Sequence, residues 1–412
     1  MLIDKLFYED LIYRIESLII YKNINKDPII KKLVELSAII AFTPKRESSN
    51  RVYYEFMNLL VGKAEELGLC GNILAKYVIH LFLQDENCFS LACEKNLKVK
   101  NTTLYELAQK DMNILHFLKT TDFSNISETI GYGENIMTYV PTNPKERMNI
   151  EQIMVASLRE KNIEELMWYY KNMGVGIFAN DTFFEIDSEG DIIPVDALVH
   201  PSLSDVVGAN QQRKALIANT EDFVKSKSFQ NTLISGPEGM GKSLLVYAVA
   251  HSFADKGLRL IELSKQQIHM IPSLVSKLSS RGKKFIIFID KLNFKDYVEN
   301  DKYLRHILSS IGSKNIVLYT TTDYCRIDNA DDDIKNSNLN LTERFPLNVE
   351  FQKLSKVEYL FIVLELAKKE KLSISEDFLK EQAMEWERTH KSYSDQSARQ
   401  FVKYIMRELK KD

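Results

Sequence analysis

No uninterrupted apolar run in this sequence approaches the roughly 18 residues that a membrane-crossing helix requires, so no membrane span is expected. Cysteine is scarce. Cys70, Cys88, Cys93 and Cys325 contain no CxxC pair, and only His80 stands near the closest two, which argues against a disulfide framework or a zinc site. An excess of one charge sign is also missing. A net charge of −3 over 412 residues gives no electrostatic case for wholesale binding to nucleic acid or to an anionic membrane. The 9 prolines and 15 glycines are too few for a low-complexity or collagen-like chain. The opening stretch MLIDKLFYEDLIYRIESLIIYKN carries acids from its fourth residue and no small-residue cleavage site. It reads as an amphipathic helix of the folded protein, not a signal peptide. A cytoplasmic protein with reduced thiols is expected, long enough for two or three domains.

The composition that remains is ordinary and globular, and it divides by period. From Met1 to about Met173 apolar residues recur at three- and four-residue steps, as in YVIHLFLQ and IEQIMVASLREKNIEELMWYYKNMG. Gly174 follows as a C-cap. This predicts a mostly α-helical N-terminal domain over residues 1–173, whose tyrosines and phenylalanines read as core. GIFANDTFFEIDSEGDIIPV alternates on either side of the turn DSEG, which predicts a β-hairpin and linker over 174–200. VVGANQQRKALIANTEDFVKSKS is helical by period. Beyond Asn231 the short strands NTLIS, LRLIEL, KFIIFID, NIVLYTTT and LNVEF alternate with helices, the pattern of a doubly wound parallel sheet. An α/β domain is expected over 201–350 and a helical segment over 351–412. The acidic run Asp331, Asp332, Asp333 reads as a solvated loop.

The readable chemistry lies in GPEGMGKS, which satisfies the P-loop pattern in full between a strand and a helix. Its residues Gly236, Pro237, Glu238, Gly239, Met240 and Gly241, with Leu244 just beyond, would turn backbone N–H groups toward phosphates at a helix N-terminus. Lys242 would reach the β- and γ-phosphates, and the Ser243 hydroxyl would ligate magnesium. FIIFID supplies the partner strand. Asp290 ends it, where ligands bind in open α/β sheets, and would hold the magnesium through water. ATP with Mg2+ is therefore the expected cofactor. The position after Asp290 usually carries a second acid that activates the attacking water. Here it is Lys291.

Further motifs narrow the family. NIVLYTTTD ends in Asp323 and looks like the strand whose polar end senses the γ-phosphate in AAA+ ATPases. NLTERFPLNVEF places Arg344 where those proteins carry an arginine finger, and SDQSARQFVKYI resembles a lid helix whose Arg399 is the second sensor. VVGANQQRKAL, with Val206 and Val207, resembles the segment that packs on adenine. No NKxD motif is present, which argues against a GTPase. Together these resemble AAA+ proteins, and within them a bacterial ATP-binding family labelled domain of unknown function 815. The resemblance covers about Gly174 to Asp412 through HPSLSDVVGANQQRKALIANTEDF, GPEGMGKSLLV, GLRLIEL, FIIFIDKLNF, LTERF and SARQF. It implies a P-loop (AAA+) parallel sheet with a helical lid, and no particular substrate. The chain departs from that pattern twice, at Lys291 where an acid is usual and at Asp323 where an asparagine is usual.

A missing general base commonly costs about 10²–10⁴ in rate, so the two departures favour a nucleotide-gated interaction switch with slow hydrolysis. Arg344 and Arg399 favour the alternative, an active oligomeric ATPase that remodels a protein or nucleic-acid partner. Whether the chain is an effective enzyme stays open on sequence alone. A homo-oligomer is expected by resemblance, with an unidentified protein partner bound through residues 1–173. A DNA-directed role lacks any basic stripe interleaved with aromatics. The AAA+ strand order that the resemblance implies sets the strand ending at Asp290 beside the one ending near Asp323. Neighbouring parallel strands lie about 4.8 Å apart, so Lys291 and Asp323 are expected to pair as an exchanged couple of charges.

Overall fold

The change of period in the sequence is a change of architecture. The computed structural model describes residues 2–42, 46–121, 139–142, 163–195, 201–292, 311, 314–323, 345–390 and 393–409. Arg344 and the run Asp331, Asp332, Asp333 lie outside those residues. The chain forms two compact units, Met1–Asn180 and Asp181–Asp412. No helix among the described residues is long and apolar enough to cross a membrane.

The first unit is helical: α1 (Leu2–Glu16), α2 (Pro28–Phe42), α3 (Arg46–Leu67), α4 (Ile73–Gln84), α5 (Cys88–Glu94), α6 (Thr103–Thr120), α7 (Ile163–Asn172) and the single turn α8 (Ile177–Asn180). The three- and four-residue apolar spacing closes on a core that includes Leu33, Phe56, Phe82 and Tyr170. Each such side chain, fully buried, contributes about 1.5–3 kcal/mol of transfer free energy. Polar side chains hold the helix ends. Asn72 caps α4 and Thr102 caps α6 by accepting backbone N–H groups. The buried Asp111 carboxylate accepts the N–H groups of Ile19, Ile20 and Tyr21, satisfying donors that have no helical partner. Gly174, at φ 107°, ends α7 by donating to the Tyr170 carbonyl at 3.1 Å, as a C-terminal glycine does.

The second unit carries β1 (Phe183–Ile186), β2 (Ile192–Pro194), α9 (Asn210–Val224), β3 (Thr232–Ser235), α10 (Lys242–Ser252), β4 (Leu258–Leu263), α11 (Ile271–Ser279), β5 (Lys284–Ile289), β6 (Ile316–Thr322), β7 (Leu347–Glu350), α12 (Lys356–Lys369), α13 (Glu376–His390) and α14 (Asp395–Glu408). Its sheet has seven strands in the order β2-β1-β4-β5-β6-β3-β7. Every pairing is parallel except the β1–β2 hairpin. That hairpin forms about its DSEG turn, where Asp187 accepts the N–H groups of Glu189 and Asp191. It also does more than connect, because β1 pairs with β4 and covers an edge that would otherwise expose its hydrogen-bonding groups.

Strands β3 and β6 are buried along their whole length, threonines included, as strands of a parallel sheet covered on both faces are. Helix α10 packs on them through Leu245, Val246 and Val249. The register sets Ile289 of β5 beside Thr320 of β6, and Ser235 of β3 beside Thr322. The C-terminal ends of three strands therefore finish side by side, and the strand ending at Asp290 neighbours the one ending at Asp323. Helices α12, α13 and α14 form the lid around Tyr359, Leu366, Phe401 and Ile405. The chain has an α/β fold, a mostly parallel P-loop sheet followed by a three-helix segment and preceded by a helical region.

Candidate phosphate site

The loop between β3 and α10 owes its shape to glycines. Gly236, Gly239 and Gly241 have φ of 143°, 78° and 83°, a region that side-chain-bearing residues rarely adopt. At Gly236 there is also no room, since a Cβ there would lie 2.4 Å from the Phe351 carbonyl oxygen. Gly241 begins α10, so the helix N-terminus opens onto the loop. An anion is favoured there by free N–H groups and by the helix dipole.

Two cavities meet at this loop. One, of about 440 Å³, is lined by Lys242, Ser243, Leu244, Asp290, Asp323 and Arg399 among others. The other, of about 720 Å³, is lined by Val207, Gly208, Ala209 and Ile362 of the lid. Met240 and Asp395 face both cavities. Of the two valines expected near adenine, Val207 lines the larger cavity, whereas Val206 is buried in the core beside α10.

The side chains expected to bind phosphate and magnesium are brought together. The Ser243 hydroxyl donates to Asp290 Oδ1 at 2.6 Å, and Thr321 Oγ1 donates to the same oxygen at 2.5 Å. Ser243 and Asp290 supply hard oxygen donors within a few ångströms of each other, which fits magnesium. Among the described residues no group of three or more His, Cys, Asp or Glu could hold a metal ion by itself. The fit is thus to a cation shared with phosphate oxygens, the usual manner for magnesium. Lys242, only 5% exposed, donates to the Gly236 and Pro237 carbonyls and to Asp323 Oδ1 at 2.8 Å.

The expected pairing of Lys291 with Asp323 is not formed. Asp323 is held by Lys242, and the Lys291 ammonium lies 2.5 Å from Glu238 Oε1 of the loop itself. The Glu238 hydrogen bond raises the Lys291 ammonium above the usual lysine range. Lys291 also has a left-handed backbone, φ 52°, fixed by its N–H donating to Thr321 Oγ1 at 2.7 Å. The reason for the altered pairing is reach. The P-loop lysine arrives at Asp323 from within the loop, while the turn after Asp290 gives Lys291 a nearer carboxylate.

Arg399, near the start of α14, is tied to Asp395 Oδ2 at 2.6 Å and to the Asp205 carbonyl at 2.5 Å. The lid meets the loop directly, for Gln396 N–H donates to the Gly239 carbonyl at 3.0 Å. Burial pushes Asp205 upward, but the Lys369 ammonium and the donors of Ser202 overcome it and bring its carboxyl down to about 2. Beneath the site, Tyr247 donates to Glu262 at 2.6 Å. Burial raises that carboxyl above its usual range, and the charges of Asp290 and Glu185 add to the rise. Thr321, Asp395 and Gln396 were not legible as site residues. Asp395 could have been found from its four-residue spacing to Arg399 on one helix face; Thr321 is placed by strand register alone.

Residues 179–409 match a family described as "Protein of unknown function (DUF815)". The replication factor C large subunit of Methanococcus maripaludis is 31% identical over 96 residues, 22% of this chain and 20% of that protein. Its counterpart from Methanococcus vannielii is 24% identical over 127 residues, 30% and 26% of the two chains. The chain thus spans about a fifth to a quarter of the length of these curated relatives. Among solved structures, a RuvB mutant from Thermotoga maritima is 17% identical, with 52% of this chain and 67% of that one covered and a TM-score of 0.39. PCH-2 of C. elegans is 14% identical and covers 39% and 48%, with a TM-score of 0.31.

Proposed function

This chain belongs to the DUF815 family, and from that premise we propose that it is an ATP-binding switch with slow hydrolysis. One observation carries the reading. The loop, Lys242, Ser243 and Asp290 line one cavity fit for a magnesium–triphosphate, while the residue after Asp290 is a lysine paired with Glu238. Lys242 would neutralise the β- and γ-phosphates. Ser243 and Asp290 would hold magnesium, which when bound offsets charge on the phosphates. Val207 and Ile362 would pack on the base. No carboxylate stands at the position after Asp290 to take a proton from water, and a general base commonly contributes about 10²–10⁴ in rate. ATP would then act by occupancy: it bridges the phosphate loop and lid, and the closed form recruits a partner through the helical unit.

The remodelling alternative keeps one specific support. Arg399 lines the same cavity on the lid, and an arginine supplied to a γ-phosphate can be worth on the order of 10³–10⁵ in rate. In that reading the protein is a homo-oligomer and Arg344 serves a neighbouring subunit. Two measurements on the full chain decide. Thermal melting with ATP and Mg2+ at about 100 Kd is expected to gain roughly 2.7 kcal/mol of stability, lost in Lys242→Ala. Phosphate release is expected to be slow under the same conditions. Brisk turnover, together with growth in size on adding ATP, supports the remodelling ATPase instead.

A further inference from the structure

Four cations line the phosphate cavity, Lys242, Lys291, Arg399 and Lys403, and three of them are paired with a carboxylate: Lys242 with Asp323, Arg399 with Asp395, and Lys291 with Glu238. The pairs are not equally easy to exchange. Lys242 is 5% exposed and also bound by two loop carbonyls, and Arg399 is 27% exposed and bound by a backbone carbonyl as well. Lys291 and Glu238 are 51% and 67% exposed, and their ammonium and carboxylate are joined by that contact alone among the described residues. An exposed pair of this kind is worth little, because water solvates both partners when it opens. A phosphate dianion is a stronger partner for an ammonium than a single carboxylate, with more charge and more acceptor oxygens.

We propose that Lys291 is the residue that distinguishes a nucleoside triphosphate from a diphosphate, with Glu238 holding its place when no γ-phosphate is present. This rests on the ATP-site reading above and deepens it. Lys291 adjoins Asp290, on the side of the cavity where the magnesium oxygens converge, and Glu238 stands in the first half of the loop. With a triphosphate, Lys291 leaves Glu238 for the terminal phosphate. With a diphosphate, Lys291 keeps Glu238. The left-handed backbone at Lys291 is strain of about the kind found at functional positions. The lysine thus converts a hydrolytic position into a holding one, and the exchange at Glu238 reports the third phosphate to the loop.

The test is calorimetric titration of the full chain with ADP and with the β,γ-imido analogue of ATP, each with Mg2+, so that hydrolysis plays no part. Lys291→Gln is expected to weaken the analogue by roughly tenfold and to leave ADP within about twofold. Glu238→Gln is expected to tighten the analogue about threefold, leave ADP unchanged, and have no effect once Lys291→Gln is present. If the unmodified chain binds both nucleotides and the variants change neither, or change both alike, this inference falls and the ATP-site reading stands. If the unmodified chain binds neither nucleotide, that reading falls and the inference with it. Unaltered melting of both nucleotide-free variants, whose side chains are exposed, shows that folding is not the cause.

Discussion

Asp323 Oδ1 lies 2.8 Å from Lys242 Nζ, so the carboxylate that ends β6 occupies the ammonium of the phosphate loop. The pair satisfies the lysine while no phosphate is bound and competes with phosphate for it. Asp323→Asn is therefore expected to tighten ATP by about three- to tenfold, on the order of 1 kcal/mol. It should also lower the melting temperature of the nucleotide-free protein. Titration calorimetry beside thermal melting checks both, and unchanged or weaker ATP binding refutes the competition.

Thr321 is expected to matter through two contacts that a valine of the same shape cannot make. Its hydroxyl donates to Asp290 and accepts the Lys291 N–H. Thr321→Val leaves a partly buried donor unmet, a loss of about 1–3 kcal/mol in stability. The magnesium concentration needed for half-maximal ATP binding should rise as Asp290 loses its orientation. A magnesium titration indistinguishable from that of the parent would count against this role.

Gly236→Ala should damage the fold before it damages binding. The new Cβ would stand 2.4 Å from the Phe351 carbonyl oxygen, on backbone with φ 143°. Phe351 N–H bonds the Ser235 carbonyl at 2.7 Å, so neither segment can move without loosening the strand end. A loss of about 2–4 kcal/mol is expected. Urea denaturation measures it, and a change under about 0.5 kcal/mol would contradict the close approach.

Glu262 gives a dependence on pH. Its carboxyl is raised by burial, with Asp290 and Glu185 adding to the rise and Tyr247 opposing it. A raised carboxyl loses its proton later in the folded chain than in the unfolded chain. Unfolding is therefore favoured as pH climbs from the ordinary glutamate range through the folded value, and the penalty persists above it. Glu262→Gln should raise the melting temperature at neutral pH and have little effect near pH 4, below the ordinary range of about 4.3. Equal shifts at both pH values would show that charge is not the cause.

Lid docking should weaken in acid. Asp205, brought down to about 2, keeps its charge for Lys369 until well below the ordinary aspartate range. Its contribution is present above about pH 4, the ordinary value in the unfolded chain, and is lost as pH falls through about 2. Asp205→Asn removes the contribution at neutral pH. It should make lid amides exchange hydrogen faster there, with the difference from the parent shrinking towards pH 2.

What the sequence determined by itself was what neighbouring residues determine together. The glycines, lysine and serine of GPEGMGKS are contiguous, so their loop and its place between β3 and α10 follow from local steric and hydrogen-bonding demands. The short strands alternating with helices announced a parallel sheet, and the changing period announced a helical region before it. Which charges pair was decided by the tertiary structure. Glu238 and Asp323 are both carboxylates within reach of the same cavity, and choosing between them for Lys291 depends on a difference of a few ångströms. That difference is set by the β5–β6 register, the left-handed turn at Lys291 and the path of the loop, none of which is written in residue spacing. The same register put Thr321 beside Asp290, and lid packing brought Gln396 to Gly239 across more than a hundred residues. Such contacts are short in space and long in sequence, and only the folded chain brings them within hydrogen-bond range.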